Sequence, residues 1–146
     1  MAQINPLPVA YKDIDLSWLI GGTIREISFQ EPTTWVFDFG LKTVLNVECL
    51  WRVIEREHIV FTSQDHGHKF GLHMPVDATA RCTELFAKRR VAAVQLREST
   101  ADLFFEFTDH LRLEIISDSG GYETWQLSAP SGMSLIAQGG GQICKY

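Results

Sequence analysis

Apolar side chains recur at every second position in two stretches of this chain. Trp35, Phe37 and Phe39 alternate with Val36, Asp38 and Gly40, and Leu103, Phe105 and Phe107 repeat the pattern further on. A period of two in aromatic and branched residues predicts strands with one buried face. Thr43, Leu45 and Val47 continue the first pattern beyond a turn at Gly40-Leu41-Lys42, and Leu111, Leu113 and Ile115 continue the second beyond Thr108-Asp109-His110. Both therefore read as hairpins. In the strand ahead of each, Ile24 and Ile27, like Val91 and Val94, stand three apart, which breaks the alternation and predicts a bulge. A helical period replaces it only once. Asp77 can cap a helix running to Lys88, in which Ala78, Cys82, Leu85 and Phe86 make one apolar stripe. A shorter counterpart is expected over Asp13 to Ile20, with Ile14, Leu16, Trp18 and Leu19 available to bury.

These stretches belong to a longer self-similarity. The segment from Trp18 to Phe29 lies 67 positions ahead of Leu85 to Leu96, Glu31 matches Glu98, and Thr33 matches Thr100. One extra residue brings Phe37-Asp38-Phe39 onto Phe105-Glu106-Phe107, Leu45 onto Leu113 and Val47 onto Ile115. A longer insertion sets Trp51-Arg52-Val53 on Trp125-Gln126-Leu127, and Val60-Phe61 on Leu135-Ile136. The register moves only where turns are expected, which favours an internal duplication. The repeats are placed at 13–72 and 77–143 within a single domain of 146 residues. Each comprises a helical segment and about five antiparallel strands. Five strands alone leave an exposed face and edge, so the expected fold is mainly β, a β-rich α+β, with both copies joined in one barrel or two-layer sandwich.

Charge narrows the partners. A formal net charge of -5 argues against nucleic acid and anionic membranes, which call for a basic face. Lys88-Arg89-Arg90 is the one basic cluster and reads as the end of the helix, where cations suit its dipole. Met1 to Lys12 has no basic start and no apolar run, so no leader is expected, and no stretch approaches the roughly 20 apolar residues of a membrane span. Cys49, Cys82 and Cys144 are odd in number and far apart, which points to reduced thiols and a cytoplasmic setting. Cys49 and Cys82 are expected buried, and Cys144, near the end, exposed.

Chemistry-bearing residues concentrate in Asp65-His66-Gly67-His68-Lys69-Phe70-Gly71-Leu72-His73. In an extended segment His66 and His68 share a face and could hold a metal ion, with His73 or Asp65 as third ligand. The simpler reading, solvated imidazoles in a polar turn, is preferred. Histidine-x-histidine resembles the first motif of the cupins, but Gly71 and Leu72 stand where that motif wants glutamate, and the second motif is absent. Ser119-Gly120 and Ser131-Gly132 lack the nucleophile-elbow pattern, and Gly139-Gly140-Gly141 reads as a turn or bulge. Glu31 and Glu98 sit at matching strand ends, and Trp51 and Trp125 read as matching core anchors. No catalytic residue and no cofactor is assigned.

Tyr122-Glu123-Thr124-Trp125, following Phe105-Glu106-Phe107 and Leu111 to Ile115, carries a family resemblance. From Trp18 to Ile136 the chain resembles small bacterial β-rich proteins with a closing Tyr-Glu-x-Trp segment, loosely those grouped with immunity proteins of toxin systems. The resemblance implies a protein that binds and occludes a toxin and supplies no catalytic residue. Two functions are therefore expected: a non-catalytic module that docks a protein, with a toxin of basic surface as the candidate partner, or a small-molecule or metal-binding β-barrel with His66, His68 and His73 at its mouth. Pseudo-symmetric halves also permit a homodimer.

Overall fold

The computed structural model describes residues 7–146. The leader expectation at Met1 to Lys12 therefore falls partly outside the described residues. The described chain is mainly β: two antiparallel sheets of seven and five strands and one short helix. The strands are β1 (Leu7–Pro8), β2 (Glu26–Gln30), β3 (Thr34–Gly40), β4 (Thr43–Val47), β5 (Leu50–Glu55), β6 (His58–Thr62), β7 (Val91–Leu96), β8 (Leu103–Phe107), β9 (Leu111–Ile116), β10 (Trp125–Ser128), β11 (Ser134–Ala137) and β12 (Ile143–Lys145). The helix, α1, spans Ala78–Phe86.

The seven-stranded sheet runs β1-β12-β11-β10-β4-β3-β2, and the five-stranded sheet runs β6-β5-β9-β8-β7. Each half of the chain thus contributes a three-strand meander to one sheet and its next strands to the other. The pairings correspond residue for residue. Trp125 faces Val47 and Leu127 faces Leu45 at one junction, while Trp51 faces Ile115 and Val53 faces Leu113 at the other. The meanders agree equally well, with Phe37 on Leu45 and Phe105 on Leu113. The expected match of Val60-Phe61 with Leu135-Ile136 is one residue out. Val53 pairs with Phe61 as Leu127 pairs with Leu135, so Phe61 corresponds to Leu135 and Thr62 to Ile136. Matching apolar to apolar misled there, because Thr62 holds a half-buried place that Ile136 fills.

The sheets turn one set of faces toward each other around a shared core. Trp35, Phe37, Phe39 and Leu45 from one sheet meet Trp51, Val53, Phe105 and Leu113 from the other, all buried. Phe39 and Phe105 touch across the gap, as do Phe37 and Trp51. The closed-barrel alternative is overturned. Each sheet keeps two edge strands among the described residues. At one corner backbones meet, where Gly21 N–H donates to the Val91 carbonyl and Val91 N–H to that of Gly22.

Local signals account for most elements. Two-residue turns with both φ values positive, Leu41-Lys42 and Asp109-His110, join the two predicted hairpins, and Arg56-Glu57 joins β5 to β6 the same way. A register shift at Val91/Ala93 places a bulge in β7. In the first half β2 begins only at Glu26, after Ile24, so no strand carries the corresponding bulge. The α1 stripe is as expected, with Ala78, Cys82 and Phe86 buried and Leu85 packed against the core. The Asp77 carboxylate caps it by accepting from Ala80 N–H, and Arg89 closes its end on the Leu85 carbonyl and reaches Glu55 at 3.1 Å. The expected helix at Asp13 to Ile20 is instead two 3-10 turns, Tyr11–Asp13 and Ser17–Leu19. Asp15 accepts from Ser17 N–H, a local bond that competes with helix, and Trp18 is left partly exposed. Cys144 is buried, against expectation, because β12 lies between β11 and β1.

Candidate functional site

The histidine-rich segment begins as the end of β6 turns toward α1. Thr62 and Asp65 form a capping box around the turn Ser63–Asp65. His66 Nδ1 then accepts from Ala78 N–H at 3.0 Å, at the first turn of α1. His66 packs against Trp35 and Phe29, with ring centroids 5.1 and 5.9 Å away. Accepting at Nδ1 leaves the proton of the neutral ring on Nε2. His68 stacks on Phe70, and His73 is exposed. Among the described residues no three histidine, cysteine or acidic side chains form a group that could hold a metal ion, so the structure does not bring His66, His68 and His73 together. The cupin-like expectation also lacks its closed barrel.

From His68 to Val76 the chain makes a tight loop. Gly67 N–H donates to the Val76 carbonyl and Val76 N–H to that of His68, both at 2.8 Å, so the ends are fastened together. Between them Phe70, Leu72 and Met74 are 67, 61 and 74% exposed. Phe70 holds φ at 46°, a costly conformation for a bulky residue and one that a free loop would abandon. Phe70, Leu72 and Met74 stand two apart in the sequence, but nothing in that spacing distinguishes an exposed loop from a half-buried strand.

At the foot of this loop lies a shallow pocket of about 390 Å³ between the sheets, walled by Phe29, Pro32, Trp35, Cys49, Ser63 and His66. Burial, reinforced by the Asp118 and Asp102 charges, pushes the Cys49 thiol up to about 12, so it stays protonated at neutral pH and is no nucleophile. Trp51, outside the pocket's lining, is fully buried and edge-on to Trp35 at 5.0 Å. Its indole Nε1 has no acceptor among the described residues. Trp125, its match in the other half, donates from Nε1 to the Ala101 carbonyl at 2.8 Å. Ser117 Oγ donates to the same carbonyl at 3.2 Å.

A larger groove, about 560 Å³, crosses the outer face of the five-stranded sheet over Phe104, Glu106, Arg112 and Glu114. Its most buried carboxylate, Glu114, is already held by Arg52 at 2.7 Å, with Arg112 at 4.0 Å. The most buried charge of this groove is therefore already answered. Glu31 and Glu98 lie exposed in the β2–β3 and β7–β8 turns. No helix among the described residues is long and apolar enough to cross a membrane. No protein-family model, curated protein or solved structure matches this chain.

Proposed function

We propose that this protein is a non-catalytic binding module that docks a partner protein through the loop from Lys69 to Pro75. The observation that carries this reading is the exposure of Phe70, Leu72 and Met74 on a backbone closed by hydrogen bonds. Apolar side chains clustered at the surface and held in place are characteristic anchors of an interface, and Phe and Met are enriched there. A fixed loop also loses little conformational freedom on binding. The net charge of -5 suits a basic partner. A toxin is the partner that the resemblance to immunity proteins implies, and occlusion is then the mechanism, since covering a partner's working surface demands no chemistry from this chain.

The test is a triple variant, Phe70→Ser, Leu72→Ser and Met74→Ser, compared with the unaltered protein by cross-linking and size-exclusion chromatography in the native host extract. The three side chains are mostly exposed, so the variant should keep its thermal midpoint while losing a complex that the unaltered protein forms. Retention of the same complex by the folded variant overturns the reading.

A further inference from the structure

Two edges of the sheets are visibly guarded: β1 is two residues long and contains Pro8, while β2 begins with Glu26 and packs against α1. The edge strand β7 carries neither charge nor proline, the devices by which edges resist pairing. Its bulge at Ala92 and the Gly21-Gly22 backbone, which takes both polar groups of Val91, cover only its start. The ladder shows what stays open beyond them. Arg97 N–H donates to the Asp102 carbonyl and Ala101 N–H to that of Arg97, so Arg97 turns its backbone polar groups inward, toward the chain that continues as β8. Alternation turns those of Gln95 toward β8 as well and those of Val94 and Leu96 outward, where no backbone meets them among the described residues. Grooves flank this stretch on both faces of the sheet. The outer one runs over Phe104, Glu106 and Arg112, and the inner one, about 390 Å³, lies between Leu96 and the residues Tyr11, Ile14 and Leu16. Val94 and Gln95 line both. A strand laid along β7 sends its alternate side chains into the two grooves.

We propose that this strand is β7 of a second copy, paired antiparallel about a twofold axis through Gln95, so that the two five-stranded sheets run on as one. The register follows from the open groups. Only this axis sets Val94 against Leu96 of the partner subunit and Leu96 against the partner's Val94, each pair exchanging both of its N–H···O bonds. Charge complementarity favours a copy of this chain as the occupant. On the outer face Arg97 of the partner subunit comes opposite Ala93, and Ala93 in turn pairs with Glu106. Ala93 has no side chain to intervene, so the partner's Arg97 reaches over it toward the Glu106 carboxylate. Both groups are available: Arg97 is 65% exposed with Asp102 3.9 Å away, and Glu106 joins no ion pair among the described residues. The twofold makes this contact twice. The pairing does not rest on the docking reading, but it gives that reading a second valence. β6, which leads toward the Lys69–Pro75 loop, is the opposite edge of the same sheet, so the dimer carries its two loops at its far ends.

Gln95 then faces its own copy at a site without hydrogen bonds, where opposed side chains stand closest. Gln95→Cys should therefore link two chains under mild oxidation by glutathione disulfide, and the buried Cys49, Cys82 and Cys144 do not compete. Glu98→Cys, exposed further along the same edge, should not. Analytical ultracentrifugation of the unaltered protein, kept reduced, should show a dimer that dissociates on dilution. Val94→Pro removes an outward N–H, a change that edge strands tolerate, and should give a monomer with unaltered circular dichroism. Arg97→Glu should weaken association by about tenfold, and adding Glu106→Arg should restore it. Protein that stays monomeric at millimolar concentration overturns the proposal, as does a dimer that Gln95→Cys fails to link or that survives both Val94→Pro and Arg97→Glu. A dimer lost in the Phe70, Leu72 and Met74 triple variant overturns it too, by placing the interface on the loop.

Discussion

Trp125 and Trp51 occupy matching places in matching strands, yet one indole is bonded and the other is not. Around Trp125 the chain supplies everything itself: a longer turn, two left-handed residues and a carbonyl shared by two donors. Gly141 makes room, since a Cβ there would overlap the Ser99 carbonyl, and Tyr11 donates to the Gly141 carbonyl. Around Trp51 the same frame is finished with aromatic rings, Trp35, Phe37 and Phe61, each standing edge-on to the indole. One corner thus meets its buried donor with a backbone carbonyl, whereas the other surrounds its donor with ring edges and faces. One inserted residue in the β7–β8 turn accounts for much of the difference.

The largest effect should come from spoiling the corner around Trp125. Gly141→Ala forces a side chain into the Ser99 backbone at a φ of +86° and should cost about 4 kcal/mol in urea denaturation, with no comparable position around Trp51. Next, Trp125→Phe and Trp51→Phe remove similar volumes, but only the first breaks a hydrogen bond. Trp125→Phe should therefore be more destabilising by about 1–2 kcal/mol, and equal losses would show that the Trp51 indole is as well satisfied as its match. Asp77→Ala removes the cap of α1, the helix for which the first half has no equivalent, and should cost about 1 kcal/mol at neutral pH. The Thr79 hydroxyl and the Ala80 N–H hold the Asp77 carboxyl below its ordinary range. A depressed pKa contributes stability that is complete above the unfolded value and lost as pH falls through the folded one, so the variant and the unaltered protein should converge in acid. Smallest, replacing Leu41-Lys42 with Asn-Gly should raise stability by about 0.5–1 kcal/mol, and the same change at Asp109-His110 should gain less, since Asp already tolerates φ > 0.

Much of this architecture was legible because burial imposes a period. Phe37 and Phe105, Leu45 and Leu113, Trp51 and Trp125 could be matched from sequence, and their registers agree in the structure. What could not be read was which sheet each strand would join, since alternation reports that a face is buried and not what covers it. Asp13 to Ile20 misled because its apolar residues suit a helix, while Asp15 bonds locally instead. Cys144 misled because a place near the chain end implied exposure, and only the pairing of β12 with β1 and β11 reveals its burial. At the site, the histidines were conspicuous by type. Their roles, an acceptor for the α1 terminus and a ring stacked on Phe70, depend on neighbours that no spacing discloses.

The exchange of strands between halves also governs the order in which this chain can become a protein. As it leaves the ribosome, β4 and β5 emerge with their inner neighbours, β10 and β9, still unmade. The first sixty residues can collapse but cannot complete either sheet, and the edges they expose invite pairing with other nascent chains until the rest arrives. Neither half, taken alone from this chain, therefore completes a sheet. The molecule is synthesised in sequence but gains its stability only as a whole.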